Sequence, residues 1–372
     1  MPIKIKSILS VITTILLLVM SLLGFYGSDG TGHEYKTYKN VILMIGDGMG
    51  FNTVAATKKI HNIDRLPMES FPVLSQSKTR SFSSEVTDSA AGATALACGL
   101  RTYNGAISVY PFAPLASKFN TPKSLTELAK ENGKSAGVVT TDKTSGATPA
   151  CFSSHSVVRK FEADISIDQM RSNLDLIWGS KSETISETGC KLGGFQYISS
   201  ATEMNGLQPG THSIGQFDID AFANVTNDND NPSLADMTGK AITQLNTNEN
   251  GFFLMVEAAH IDKFSHKNII EGSTAQVIEF NKAIQTAYDF ARQDGETLVL
   301  VTADHETGGI TYNEETDEYY YTTGSHTGVN VPIYVSASDA GFVNGEAYDN
   351  YRISIQLARV MGFDKSQFPI SN

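Results

Sequence analysis

Short apolar runs recur along the chain, and several end in a small residue followed by an acid. Val41–Ile45 runs into Gly46-Asp47-Gly48, which reads as a buried strand entering a glycine-rich loop. Gly137–Thr141, Phe252–Val256, Leu298–Thr302 and Val331–Val335 have the same length and the same β-branched and aromatic content. Between them lie segments of helical spacing: the small-residue stretch Ala90–Ala97, then Ser124–Asn132, Ala275–Arg292 and Ile353–Met361. Strands alternating with helices predict an α/β fold, a three-layer sandwich with a mainly parallel central sheet. Residues 28–38 are polar and glycine-rich and read as a linker before one domain, 39–372. Residues 161–235 are more polar and irregular, with an Asn/Asp-rich run at Asn224–Asn231, and read as a surface insertion into that domain.

The N-terminus breaks this pattern. Lys4 and Lys6 precede an apolar run, residues 8–25, interrupted only by Ser, Thr and Gly. That layout predicts a signal peptide over residues 1–27 and an exported protein, periplasmic or secreted. The run is also close to the length of a membrane span, so a retained anchor is the competing reading. Removing the two lysines leaves 26 basic against 40 acidic residues, an acidic body with no patch suited to nucleic acid. Such a body repels anions, so a site for anionic substrates must carry its own local positive charge, and bound cations are one way to supply it. Three cysteines, Cys98, Cys151 and Cys190, leave at least one thiol outside any intramolecular disulfide; a Cys98–Cys151 bridge stays open. No thiolate zinc spacing occurs, so metal binding must fall to His and carboxylates. Asn224-Val225-Thr226 matches a glycosylation sequon, relevant only in a eukaryotic secretory host.

Candidate ligands cluster after the expected strands, where α/β sheets place their sites. Asp47 follows the first strand, Glu257 follows Phe252–Val256, and Asp304 and His305 follow Leu298–Thr302. Asp262 and His266 are spaced four apart, on one face if helical, and His326 lies in a loop before Val331. Three histidines with several carboxylates suit zinc; a carboxylate-and-hydroxyl set suits magnesium. Singly, each residue has a plainer role as a cap, a turn residue or a hydrogen-bonded core histidine. Spacing alone supports a metallohydrolase.

The words themselves go further. Val41 to Gly50, reading VILMIGDGMG, is similar to the opening metal motif of alkaline phosphatases, and Thr87-Asp88-Ser89-Ala90-Ala91 resembles that family's nucleophile motif. Arg101–Gly105, the block Ala147–Ala150 with His155 and Arg159, Val256-Glu257 through Asp262-Lys263 to His266, Thr302–Gly309 and Ser325–Gly328 follow in family order. The resemblance implies a phosphomonoesterase working through a phosphoserine at Ser89, with two zinc ions and one magnesium. It implies one zinc on Asp262, His266 and His326, and a second on Asp47, Asp304 and His305 beside Ser89. The magnesium falls to Asp47, Thr148 and Glu257. Arg159 takes the place of the phosphate-clamping arginine, Asp88 of its orienting partner, and Lys263 of a residue that reaches phosphate through water. Small phosphomonoesters are the implied substrates, and a homodimer the implied assembly. One position departs from the pattern: two residues before Thr148, where bacterial relatives often carry Asp and animal ones His, this chain has Gly146, which puts the third metal's identity in question. A phosphodiesterase of the same superfamily, and a non-catalytic exported protein that binds zinc or phosphate, are the alternatives; Arg159 favours a monoester.

Overall fold

The computed structural model describes residues 26–28, 34–111, 121–219 and 230–363. The apolar run 8–25, the sequon at Asn224 and most of the Asn/Asp-rich run lie outside these residues. Among the described residues no helix is long and apolar enough to cross a membrane.

Ten strands form one sheet. In chain order they are β1 (Asn40–Gly46), β2 (Val73–Lys78), β3 (Ser135–Lys143), β4 (Leu176–Ser180), β5 (Gln196–Ile198), β6 (Ser213–Phe217), β7 (Phe252–Ala258), β8 (Thr297–Thr302), β9 (Val331–Val335) and β10 (Ala347–Asp349). Across the sheet the order is β10-β2-β9-β8-β1-β7-β3-β4-β6-β5. Only β9 runs against its neighbours, antiparallel to both β8 and β2; every other pair is parallel. The expected three-layer sandwich with a mainly parallel sheet is present.

The strands read as continuous apolar runs because both faces of the sheet are covered. In β1, Val41, Leu43 and Ile45 enter one core and Ile42 and Met44 the other. Each fully buried side chain of this size contributes roughly 1.5–3 kcal/mol, so the central strands anchor whatever is attached to their ends. One layer contains α1 (Ser89–Cys98), α2 (Leu125–Glu131) and the closing helix Asn350–Val360; the other contains Leu234–Leu245 and the long helix Ile270–Asp294.

Two expectations need correction. The segment 28–38 is more than a linker: Tyr35 and Tyr38 are buried in the first core, and Tyr38 N donates to Val360 O at 2.6 Å. The segment 161–235 is not a surface insertion, because it supplies β4, β5 and β6, the strands that complete one side of the sheet. Trp178 in β4 is fully buried, and its indole N–H donates to Ser213 Oγ at 3.0 Å. The three cysteines are buried and free, so no Cys98–Cys151 bridge forms.

Candidate active site

The four central strands β8, β1, β7 and β3 end together. Their register aligns Thr302, Ile45, Glu257 and Thr140 in one row across the sheet. Asp304 and His305, Asp47, Glu257 and Asp142 therefore project from the same carboxyl edge. Gly48 makes the first turn possible: its φ is 73°, and a Cβ there would stand 2.9 Å from Thr307 Oγ1. The turn lets Gly48 N donate to Asp304 Oδ1 at 3.3 Å.

Ser89 reaches this edge from α1, whose ten residues are all buried. The helix is built of small residues, and at Gly92 a Cβ would meet the Asp304 carbonyl oxygen at 2.8 Å. That close approach brings the helix N-terminus, with its partial positive charge, against the end of β8. Asp88 caps the helix: Oδ1 accepts from Ala91 N at 3.0 Å, while Oδ2 accepts from Gly105 N at 2.9 Å and from Arg159 Nη1 at 3.2 Å. The cap and the arginine contact coexist on one carboxylate. With 36% of its side chain exposed and Asp88 next in sequence to Ser89, Arg159 has further N–H donors beside this end of the helix.

The histidines reveal their tautomers through their partners. His266 Nδ1 faces Gly324 O at 2.8 Å and His326 Nδ1 faces Thr87 O at 2.9 Å, so each Nδ1 carries the proton. Both Nε2 atoms then present lone pairs, yet they stand 3.1 Å apart, with Asp262 Oδ2 3.4 Å from His266 Nε2 and Oδ1 3.6 Å from His326 Nε2. Four acceptors turned on one another match the donor set of a cation, with a second contact from each histidine fixing the ring. His305 behaves likewise. Thr307 donates its hydroxyl to Asp262 Oδ1 at 2.5 Å, so it accepts from His305 Nδ1 at 3.2 Å. His305 Nε2 then offers a lone pair 3.2 Å from Ser89 Oγ, 3.4 Å from Asp47 Oδ1 and 3.2 Å from Asp304 Oδ2.

Electrostatics agree. Burial, with His326, His266 and Arg159 nearby, holds the His305 imidazolium far from favourable and its pKa well below the ordinary value. Burial, and then the charges of Asp304, Asp262, Glu257 and Asp142, push Asp47 well above the usual carboxylate range. Burial and Asp262 raise Asp304 to about 7; burial and Asp142 raise Glu257 to about 8. Asp47 Oδ1, Asp304 Oδ2 and Thr148 Oγ1 are buried with no hydrogen-bond partner. Clustered acids, inward lone pairs and orphaned oxygens fit bound cations.

The donor atoms of Asp262, His266 and His326 lie within 4.8 Å of one another, and so do those of Asp47, Asp262 and His305. Asp262 stands between the two groups, and Asp304 joins the second through His305. His266 is 41% exposed and His305 fully buried, so the first group faces solvent and the second the protein interior. Asp262 and His266 share one face of the short helix His260–His266, as their spacing predicts. Thr148 lies in α3 (Ala147–Cys151), and the Thr140 hydroxyl donates to Glu257 Oε2. Lys263 pairs with Asp142 Oδ1, so the lysine points into the same edge. All twelve sequence candidates (Asp47, Asp88, Ser89, Thr148, Arg159, Glu257, Asp262, Lys263, His266, Asp304, His305 and His326) gather at this end of the sheet. Thr140, Asp142 and Thr307 join them unforeseen. The signal available for Asp142 was its place at the end of the apolar run Gly137–Thr141, the same position that marked Asp47.

Comparison with known proteins agrees with this geometry. The profile of the alkaline phosphatase family matches residues 38–175 and 178–321. Alkaline phosphatase 3 of Bacillus subtilis is 36% identical over 291 residues, covering 73% of this chain; the chain spans 62% of that relative's length. The Escherichia coli alkaline phosphatase is 31% identical over 337 residues, covering 73% of this chain and 70% of the relative. The structure of alkaline phosphatase from the Antarctic bacterium TAB5 superposes with a TM-score of 0.76 at 30% identity, over 89% of this chain and all of the other. A variant of the TAB5 enzyme has been solved with Mg bound in its M3 site. By sequence profile, by relatives spread over most of its length and by fold, the chain belongs to the alkaline phosphatase family.

Proposed function

We propose that the protein is an exported phosphomonoesterase that splits phosphate monoesters to alcohol and inorganic phosphate through a phosphoserine at Ser89, with two zinc ions and one magnesium. The observation that carries this reading is the Ser89 hydroxyl at the N-terminus of α1, 3.2 Å from His305 Nε2 and beside the orphaned oxygens of Asp47 and Asp304. Asp262, His266 and His326 would hold one zinc, Asp47, Asp304 and His305 the other, and Asp47, Thr148 and Glu257 the magnesium. Paired zinc ions supply Lewis acidity at the entering and leaving oxygens of an in-line displacement, a role known in two-metal phosphatases.

The chain's own residues do the rest. Arg159, aimed by Asp88, binds two phosphate oxygens and sets the ester in line with Ser89 Oγ. A bond forms from Ser89 Oγ to phosphorus as the bond to the alcohol oxygen breaks; the serine proton is lost and the alcohol oxygen regains one. A water molecule then attacks the phosphoserine from the opposite side, returning Ser89 and releasing phosphate. The open face at His266 and His326 gives that water its approach. Lys263, held by Asp142, would reach the phosphate through water. The basic-flanked apolar run 8–25 supports export, by cleavage or as an anchor, and family membership supports a homodimer.

The test is hydrolysis of p-nitrophenyl phosphate at pH about 8 to 10, before and after chelation, then with zinc and magnesium restored. The expected result is loss on chelation and recovery with both metals. Faster turnover of bis(p-nitrophenyl) phosphate than of the monoester would transfer the assignment to a diesterase. Zinc uptake with no turnover of either ester would leave a binding protein.

A further inference from the structure

Gly146 removes a side chain beside Thr148, at the N-terminus of α3. The space it leaves is filled. A Cβ built on Gly146 would stand 2.1 Å from Asp142 Oδ2, 2.8 Å from its Cγ and 2.9 Å from the Lys143 carbonyl oxygen, so the Asp142 carboxylate occupies most of the volume that a side chain at 146 would enter. Asp142 comes from the end of β3, where the parallel register with β4 is broken between Val139 and Lys143. It is held from two directions. Its backbone N–H donates to Thr140 Oγ1 at 2.8 Å, and the Thr140 hydroxyl in turn donates to Glu257 Oε2. Its Oδ1 pairs with Lys263 Nζ. Asp142 is therefore tied through its backbone N–H and Thr140 to Glu257, a residue of the Asp47–Thr148–Glu257 group, and through its carboxylate to the lysine that follows Asp262. The second observation that points to a ligand here is the Thr148 hydroxyl, 1% exposed and without a hydrogen-bond partner.

We infer that Asp142 supplies the carboxylate facing the third cation, in place of the side chain that Gly146 lacks, and that it makes this site selective for magnesium over zinc. The inference rests on the three-cation reading of the active site. Asp47, Thr148, Glu257 and Asp142 offer oxygen donors and no imidazole or thiolate, the chemistry of a hard cation that keeps part of its water shell. Asp142 is a positioning residue: it acts on the cation and its waters and, through Lys263, on the lysine's placement. A carboxylate at 142 and one at 146 compete for the same volume, so the two solutions exclude each other sterically.

That exclusion provides the test. The full-length protein and its variants are dialysed against defined zinc and magnesium, bound metal is counted by mass spectrometry, and magnesium affinity is read from the rise in melting temperature during titration. Asp142→Ala should weaken magnesium binding roughly 10- to 100-fold while zinc content stays unchanged. Asp142→Asn, of the same shape, should weaken it as well, which keeps the test valid should the alanine variant fold poorly. The double variant Asp142→Ala/Gly146→Asp should recover part of the lost magnesium affinity, by moving the carboxylate to the other side of the same volume as the Lys143 carbonyl gives way. Magnesium affinity unchanged in both single variants overturns the inference and leaves the phosphatase reading standing. A wild-type protein that takes up zinc but no magnesium overturns both this inference and the three-cation reading.

Discussion

Ser89 Oγ lies 3.2 Å from Nε2 of His305, and that nitrogen carries a lone pair because Nδ1 is committed to Thr307. The imidazole has acids on the same side, Asp47 and Asp304, while the Thr307 hydroxyl, and no carboxylate among the described residues, stands at Nδ1. This differs from a serine–histidine pair backed by an orienting acid, in which the histidine takes the serine proton. Here the serine and the imidazole point at a common centre. Ser89→Ala should therefore abolish turnover, by roughly a thousandfold or more, while leaving the zinc content and the melting temperature near wild type. Retention of the wild-type rate in steady-state hydrolysis of p-nitrophenyl phosphate would remove Ser89 as nucleophile.

Arg159 is placed by one carboxylate that also caps the helix beginning at Ser89. A charge-assisted hydrogen bond contributes about 1.5–3 kcal/mol, so Arg159→Ala should lower kcat/KM roughly 10- to 100-fold. Inorganic phosphate should inhibit that variant more weakly by a similar factor. Arg159→Lys keeps the charge but loses the planar fork, and should recover only part of the loss. Equal phosphate inhibition of wild type and Arg159→Ala would place the clamp elsewhere.

Away from the site, His155 bridges Ser108 O at 2.7 Å and Glu127 Oε1 at 3.0 Å. Burial opposes its charge, but the hydrogen bond and charge of Glu127 prevail and raise its pKa; burial likewise opposes Glu127, and His155 prevails there to lower it. The histidine's contribution is complete below its ordinary pKa and fades as pH rises through the raised value. The glutamate's is complete above its ordinary pKa and fades as pH falls through the lowered one. The pair stabilises most between about pH 4.5 and 6.5. His155→Gln should thus lower the melting temperature more at pH about 6 than at pH about 9. Equal losses at both pH values would show that the ion pair adds nothing beyond packing.

The three thiols should be silent in the native protein. Cys98, Cys151 and Cys190 are buried; desolvation raises Cys98 well above its ordinary value, Cys151 to about 12 and Cys190 to about 11. A disulfide reagent such as Ellman's should label no cysteine in the folded protein and all three after denaturation. Reducing agents should leave the melting temperature unchanged. Rapid native labelling of any one thiol would contradict the packing around it.

Much of this was readable from residues alone, for a physical reason. Strands buried on both faces show as unbroken apolar runs, and the acids that follow them, Asp47, Glu257 and Asp304, stand out against that background. The segment 161–235 hid its strands because β4 contains Gly179, β6 contains Gly215, and β5 is only three residues long. Such runs are too short to show a period. Tyr35 and Tyr38 were masked by their polar neighbours, although both rings are buried. Asp142 had the right position after a strand, but only the distance from Gly146 shows that the two residues share one space.

The helix that begins at Ser89 carries a further consequence. All ten residues of α1 are enclosed, Gly92 touches the backbone of Asp304, and Ser354 donates to Ala95 O at 2.8 Å from the helix on the other side. A helix packed this way has no solvent-facing position at which sequence drift is harmless. Its composition is thus under two selections at once, one for the Ser89 hydroxyl at its first residue and one for thinness along the rest. Random mutagenesis should find this stretch among the least tolerant in the chain, with even Gly92→Ala pushing Ser89 out of line, while the surface of the long helix Ile270–Asp294 accepts changes freely.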